Sequence, residues 1–287
     1  EDYINNQVVK DSESIYTGFI SHLVDDRVIE RFYEKEDIYL EVEEAVYHPN
    51  QFLMLVSNAN QKKTALARYI SPMDPLQRLT KYSKGVWGVK SRNKEQQFAM
   101  ELLMDRNVQI ITLIGKAGSG KTLCAIAAGL QQTVDDFMVK GEPHYTRMIV
   151  SRPVQPLGKD LGFLPGTLEE KMKPWLTPIQ DNLQFLMGND KTTLDMYLDR
   201  GRIEIEALTY IRGRSIANAL TIITRVGEGS KIILTGDVEQ IDNAYVDETT
   251  NGLTHAVEKF KDFELAGHVT LMRGERSKVA TYAAKYL

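Results

Sequence analysis

The sequence holds a single cysteine, Cys124, in 287 residues. One thiol excludes an intramolecular disulfide framework and a Cys-rich zinc site, and it fits a reducing, cytoplasmic setting. No apolar run reaches the roughly 18 residues that a membrane span needs, and the first residues lack the basic, apolar, small-residue order of a signal peptide. A membrane or secreted protein is therefore not expected. Charge of one sign is not in excess either: 35 Lys and Arg stand against 39 Asp and Glu, a formal net charge of −4. A wholesale polycation is excluded, so any nucleic-acid contact has to come from local clusters. Fixed-period repeats and low-complexity stretches are also missing. What is present is 43% hydrophobic and 26% charged, enough apolar mass for one large domain or two modest ones. The chain opens on Glu1 rather than Met, which suggests a segment before it.

Residues 1–75 have a character of their own. Asp37 to Val42, Ala45 to Tyr47 and Gln51 to Ser57 are short β-type runs, separated by His48-Pro49-Asn50 and Asn58-Ala59-Asn60. They predict a small antiparallel β unit. Two prolines follow in Ser71-Pro72-Met73-Asp74-Pro75, and then Lys81, Lys84, Lys90, Arg92 and Lys94 gather around Trp87. Residues 76–90 read as a basic linker, a solvated connector in preference to a nucleic-acid patch.

From about residue 91 to the end, β and α patterns alternate. Glu95 to Met104 has helical spacing, Val108 to Ile114 is a continuous apolar run, and Leu123 to Leu130 is helical again. Met148 to Val150 and Lys231 to Leu234 are further apolar runs that end at polar residues. Continuous apolar strands suit a parallel sheet covered on both faces. The expected fold is α/β, a doubly wound domain after a small β-rich unit.

The strongest chemical signal is Gly115-Lys116-Ala117-Gly118-Ser119-Gly120-Lys121-Thr122, followed by Leu123. It fits G-x-x-x-x-G-K-[ST] between a strand and a helix. Glycines let successive N–H groups curl around phosphate oxygens, and the following helix points its positive end at the same place. Lys121 supplies a point charge for β and γ phosphates, and the Thr122 hydroxyl is a Mg²⁺ ligand. Upstream, Asn93 and Gln96 offer amides that suit an adenine edge, while Asn93 serves equally well as a helix N-cap. Asp237, at the end of Ile232-Ile233-Leu234-Thr235-Gly236-Asp237, and Gln240 fall where polar groups face a ligand crevice. Asp237 is a candidate to orient Mg²⁺ or water, and Gln240 to sense the γ phosphate. A bland turn at the strand end is the competing account.

Together these pieces resemble the PhoH-like ATPases, relatives of superfamily 1 helicases. The resemblance covers residues from about 91 onward. It includes Ser151-Arg152-Pro153, Leu161-Gly162-Phe163-Leu164-Pro165-Gly166, Tyr210-Ile211-Arg212-Gly213-Arg214, Thr235-Gly236-Asp237 with Gln240, and Gly274-Glu275-Arg276-Ser277. It implies a RecA or helicase-like P-loop fold and ATP hydrolysis with Mg²⁺ coupled to single-stranded RNA. It also implies a ring-shaped homo-oligomer, for example a hexamer. Arg214 and Arg276 are then candidates to stabilise transition-state charge, in cis or across a subunit boundary; structural pairing with carboxylates is their other role. The first 75 residues resemble the region that joins this ATPase to an N-terminal PIN-type nuclease in longer members, which would lie before Glu1. A nucleotide-dependent scaffold presenting that nuclease is the alternative function. A small-molecule P-loop kinase fits the Thr-Gly-Asp-x-x-Gln and Gly-Glu-Arg-Ser motifs less well.

One part of the family pattern is not found. A strand ending in Asp-Glu should lie between Arg214 and Thr235, holding Mg²⁺ and polarising the attacking water. Instead Ser215 to Gly227 has no carboxylate, and Ile216, Leu220, Ile223 and Val226 fall on one helical face. Either the sequence joins residues across a missing segment, the favoured explanation, or the protein lacks the strand and hydrolyses ATP feebly. Intact mass of the purified chain separates the two.

Overall fold

The computed structural model describes residues 15–40, 47–135, 144–154, 168–209, 223–224, 226–237 and 248–274. Its N-terminal unit is a mixed sheet in the order β1 (Phe19–Val24), β2 (Gln51–Ser57), β3 (Thr64–Tyr69) and β4 (Gln77–Arg78). β1 and β2 run parallel, from Phe19 opposite Phe52 to Val24 opposite Ser57, while β2, β3 and β4 are antiparallel neighbours. A parallel pair needs a crossover, and helix α1 (Asp26–Tyr33) lies on it, capped by the Asp25 carboxylate accepting from the Arg27 N–H at 2.9 Å. Ile29 and Phe32 of α1 bury against Leu53, Leu55, Ala65, Ala67 and Tyr69.

The antiparallel expectation therefore changes to a mixed sheet, with β1 and α1 added. Asp37 to Leu40 is not a strand: Ile38 is buried and its carbonyl accepts from the Leu76 N–H at 2.8 Å, but no ladder forms. An apolar run becomes a strand only where a neighbouring edge is available. Residues 41–46 lie outside the described residues.

The second part is mixed α/β with parallel strands. Helix α2 (Lys94–Met104) precedes β5 (Ile110–Gly115), which leads into α3 (Lys121–Leu130) and a π-helical turn over Gln131–Asp135. β6 (Met148–Val154), α4 (Leu168–Leu186), α5 (Lys191–Asp199) and β7 (Ile203–Thr209) follow, and then β8 (Ile232–Asp237), α6 (Glu248–Phe260) and β9 (Ala266–Leu271). Among the described residues the strands form two sheets, β8-β5-β9 and β6-β7, parallel throughout. Every residue of β5 and β9 is buried, whereas β8 is half-buried or exposed along its length. None of the described helices is long and apolar enough to cross a membrane.

The two parts share a core. Phe52 of β2 stacks on Phe98 of α2 with centroids 4.5 Å apart and planes 14° from parallel, and Phe19 leans on the same ring. Beside this stack runs a polar seam at the amino ends of β5, β8 and β9. Asn50 donates from Nδ2 to the carbonyls of Ala266 (2.7 Å) and Glu264 (3.0 Å) and accepts from Arg68 at 2.6 Å. Arg68, 4% exposed, also pairs with Asp105 at 2.8 Å. Lys231 Nζ donates to the carbonyls of Leu103 (2.6 Å) and Asp105 (2.7 Å) at the carboxyl end of α2, while burial pulls its pKa down to about 8.

Within the same core, His268 of β9 has both ring nitrogens occupied, Nδ1 with Thr112 at 2.7 Å and Nε2 with Thr270 at 2.8 Å. Burial pushes its pKa from 6.5 down to about 4, only partly opposed by the Thr112 carbonyl and the Glu258 charge. Between those values the unfolded chain takes up a proton that the folded chain refuses. Stability that is present above pH 6.5 is therefore lost as pH falls, by about 3 kcal/mol near pH 4. Urea midpoints at pH 7 and pH 4.5 should show a smaller acid loss in His268→Gln than in the wild type; equal losses would remove His268 from the account.

Candidate nucleotide-binding site

Register brings the carboxyl ends of three strands to one level: Gly115 of β5 lies opposite Asp237 on β8 and Leu271 on β9. Lys116 to Gly120 then forms the loop before α3. A Cβ at Gly115 would sit 2.5 Å from Ser119 Oγ and 3.0 Å from the Leu271 carbonyl, so the fold-back of the loop requires glycine there. Gly120, the N-cap of α3, has φ 84°, which only glycine adopts without cost. The first helical bond is Cys124 N–H to Gly120 O at 2.9 Å. The N–H groups of Gly120, Lys121, Thr122 and Leu123 lie ahead of it without intrahelical acceptors, at the positive end of the helix. That is an anion site by construction.

Two side chains shape the loop. Ser119 is fully buried, and its Oγ packs under Gly115 with no hydrogen-bond partner, filling the inside of the loop. Lys121, with a side chain 11% exposed, ion-pairs with Asp237 across the gap between α3 and β8. Its Nζ also lies 3.5 Å from the Lys116 carbonyl. The cation suited to phosphate is thus held by a carboxylate, and a nucleotide has to displace or share that carboxylate.

Thr122 is half-buried beside Lys121. Mg²⁺ at nucleotide sites needs one or two carboxylates, water and phosphate oxygens rather than an all-protein cage. Thr122 has a hydroxyl and Asp237 a carboxylate of the kinds such a site uses, and among the described residues no group of three or more His, Cys, Asp or Glu is placed to hold a metal by itself. Cys124 lies in the first turn of α3, buried, with its thiol pushed up to about 12; it is packing rather than a nucleophile.

Asn93 is the N-cap of α2, its Oδ1 accepting from the Gln96 N–H at 2.9 Å. Gln96 is buried, and its amide bridges two segments: Oε1 accepts from the Arg92 N–H at 2.8 Å and Nε2 donates to the Ser119 carbonyl at 3.0 Å. The amide motif thus braces the phosphate loop from behind, a link that residue spacing does not signal. Arg214, Gln240 and Arg276 lie outside the described residues, as do Leu161 to Gly166 and the side chain of Arg152. Gly274 is described, and a Cβ there would come 3.9 Å from the Ala117 carbonyl, so the start of the Gly274 to Ser277 motif is beside the loop. Arg273, exposed just past β9, is a cation near the loop that sequence reading passed over. Its signal is a basic residue shortly after an apolar strand, at the carboxyl edge where ligands bind.

Residues 88–281 match the family described as PhoH-like protein. The chain is 42% identical to Protein PhoH2 of Bacillus subtilis (strain 168), over all of this chain and 67% of that protein. It is 34% identical to Protein PhoH2 of Thermobispora bispora, over all of this chain and 65% of that one. A PhoH-like protein of Bacillus subtilis is 37% identical over 57% of this chain and 52% of its own length. The chain thus spans about two thirds of the two relatives that match it end to end. The first of those alignments runs over 305 positions, 18 more than the 287 residues of this chain. At least that many positions of the relative therefore have no counterpart here.

Proposed function

Because the chain belongs to the PhoH-like protein family, we propose that it binds ATP with Mg²⁺ at the Gly115–Thr122 loop and hydrolyses it in step with single-stranded RNA, as a ring-shaped homo-oligomer. The observation that carries the nucleotide part is a glycine-shaped loop open at a helix N-terminus with Lys121 poised beside the end of β8. The backbone N–H groups at the start of α3 take the phosphate oxygens, and Lys121 moves from Asp237 to the β and γ phosphates. Thr122 and Asp237 would hold Mg²⁺, which would supply charge neutralisation for the phosphates. Gln240 senses the γ phosphate and Arg214 or Arg276 meets the developing charge, while Asn93 and Gln96 brace the loop from behind. The two described sheets then belong to one RecA or helicase-like sheet.

RNA coupling is tested by ATP hydrolysis with and without single-stranded RNA. Stimulation by RNA is expected; hydrolysis indifferent to RNA would reject the coupling.

A second function has a specific observation behind it. No carboxylate stands between Ser215 and Gly227, and the alignment with the Bacillus subtilis relative has 18 positions more than this chain has residues. A chain without a metal-binding Asp-Glu strand would bind nucleotide and turn it over slowly. It would act as a nucleotide-dependent scaffold for a PIN-type nuclease. Tight ATP binding with negligible hydrolysis, with or without RNA, is its signature.

A further inference from the structure

Residues 79–94 carry five cations, Lys81, Lys84, Lys90, Arg92 and Lys94, and no carboxylate. At their centre is a tight turn. Val86 and Val89 exchange N–H to carbonyl bonds of 2.9 Å in both directions, leaving Trp87 and Gly88 as the two tip residues. Both tip residues have positive φ, 49° and 76°, the type I′ pattern in which Asn, Asp or Gly is usual. A bulky aromatic at the first tip position is held against its backbone preference, and such positions cluster at ligand clamps. Two bonds fix it there: the Trp87 N–H donates to Gln131 Oε1 at 2.9 Å, and the indole Nε1 donates to the Leu186 carbonyl at 2.7 Å.

The fixed ring is not sealed in. Trp87 is half-buried and, with Leu186, Met187, Thr193 and Tyr197, lines an open cleft of about 310 Å³, at the small end of the range for ligand sites. Lys84 and Lys90 stand exposed on the two arms of the turn, each three residues from Trp87. Neither is ion-paired among the described residues. Asp190, preceding α5 at the rim, directs its carboxylate into its own helix end, accepting from Thr192 N–H, Thr193 N–H and Thr193 Oγ. The cleft therefore has an immobilised aromatic ring in its lining and an exposed lysine on each arm of the turn that carries the ring, the combination that suits unpaired bases and their phosphates.

We propose that the Trp87 cleft stacks an unpaired base of single-stranded nucleic acid, with Lys84 and Lys90 on the flanking phosphates. The ligand class rests on the RNA-coupled reading above, and the cleft gives that ligand a place. Two connections lead from it to the phosphate loop. Gln131, which holds the Trp87 backbone, directly follows α3, the helix that begins at Lys121. Arg92, shortly after the turn, reaches the Ser119 carbonyl through Gln96. Base stacking at Trp87 and phosphate binding at Lys121 thus act at the two ends of α3.

The chain has two tryptophans, Trp87 and Trp175, so Trp175→Phe leaves Trp87 as the only indole. That protein is titrated with oligo(U) RNA and oligo(dT) DNA of about 12 nucleotides, and binding of labelled oligonucleotide is followed in parallel by anisotropy. Quenching of Trp87 emission with the same midpoint as the anisotropy change is expected, and the stronger of the two ligands identifies the nucleic acid. Trp87→Gly relieves the positive-φ position while removing the ring, and it should weaken binding about 10-fold or more. Trp87→Phe, which keeps a ring but loses the indole N–H, should retain most of the affinity. Lys84→Gln with Lys90→Gln should reduce the slope of log affinity against log salt by about 1.4. If the Trp175→Phe protein binds RNA but shows no quenching, or Gly and Phe weaken binding equally, the cleft is not the stacking site and the RNA-coupled reading stands. If the wild type binds neither oligonucleotide, both fall. Quenching without RNA stimulation of hydrolysis removes the coupling and keeps the cleft.

Discussion

Lys121→Ala lowers ATP turnover by about 10²- to 10³-fold, the scale set by removing one preorganised charge from a transition state, while the unfolding midpoint barely moves. The two halves of this expectation have separate causes. Lys121 is the loop's own phosphate-directed cation, and its partner Asp237 lies across β5 from β9 at the same register level as Gly115. Deleting the amine takes away the charge that is to meet the β and γ phosphates, so nucleotide binding weakens together with turnover. The side chain of Asp237 is 40% exposed, however, and water solvates the orphaned carboxylate, so the stability change stays within about 1 kcal/mol. Phosphate release and equilibrium binding of a fluorescent ATP analogue measure the two effects. Wild-type turnover in Lys121→Ala would place hydrolysis at some other site.

How much of this site could be read in the sequence follows from how local each part is. The phosphate loop is eight consecutive residues, Gly115 to Thr122, because a cradle of N–H groups is made by neighbours in the chain; spacing alone exposes it. Asp237 was legible for a different reason. It ends an apolar run, and in a parallel sheet the ends of such runs meet, which the Gly115 to Asp237 register now gives in detail. Gln96 shows where spacing runs out. An amide upstream of the loop suits a base edge in sequence, yet its own hydrogen bonds join Arg92 to Ser119, and no local signal distinguishes a brace from a reader. The N-terminal unit was harder for a physical reason. Phe19 to Val24 pairs with Gln51 to Ser57 through a crossover, so its strand character depends on a partner some thirty residues away. Ile38, by contrast, has an apolar run but only a single bond to Leu76.

Phe98→Ala is expected to cost about 3–5 kcal/mol and to loosen the N-terminal sheet and the phosphate-loop sheet together. Phe98 is fully buried, stacks on Phe52 from β2 and touches Phe19 from β1, while its own helix packs Leu102 against Gly267 of β9. Removing the ring therefore opens a cavity walled by both units. The polar seam of Asn50, Arg68 and Asp105 cannot close it, since its hydrogen bonds fix the backbone spacing at the strand ends. Native-state hydrogen exchange tests this residue by residue. Amides of β2 and β3 and those of β5 and β9 should lose protection by the same free energy in Phe98→Ala. Tyr39→Ala, at an exposed position, should change either set by no more than about 0.5 kcal/mol. If β2 and β3 lose protection while β5 and β9 keep theirs, the first unit is an independently folding attachment. Equal losses make it part of the ATPase core, so that whatever precedes it in a longer chain is mechanically joined to the helix that begins at Lys121.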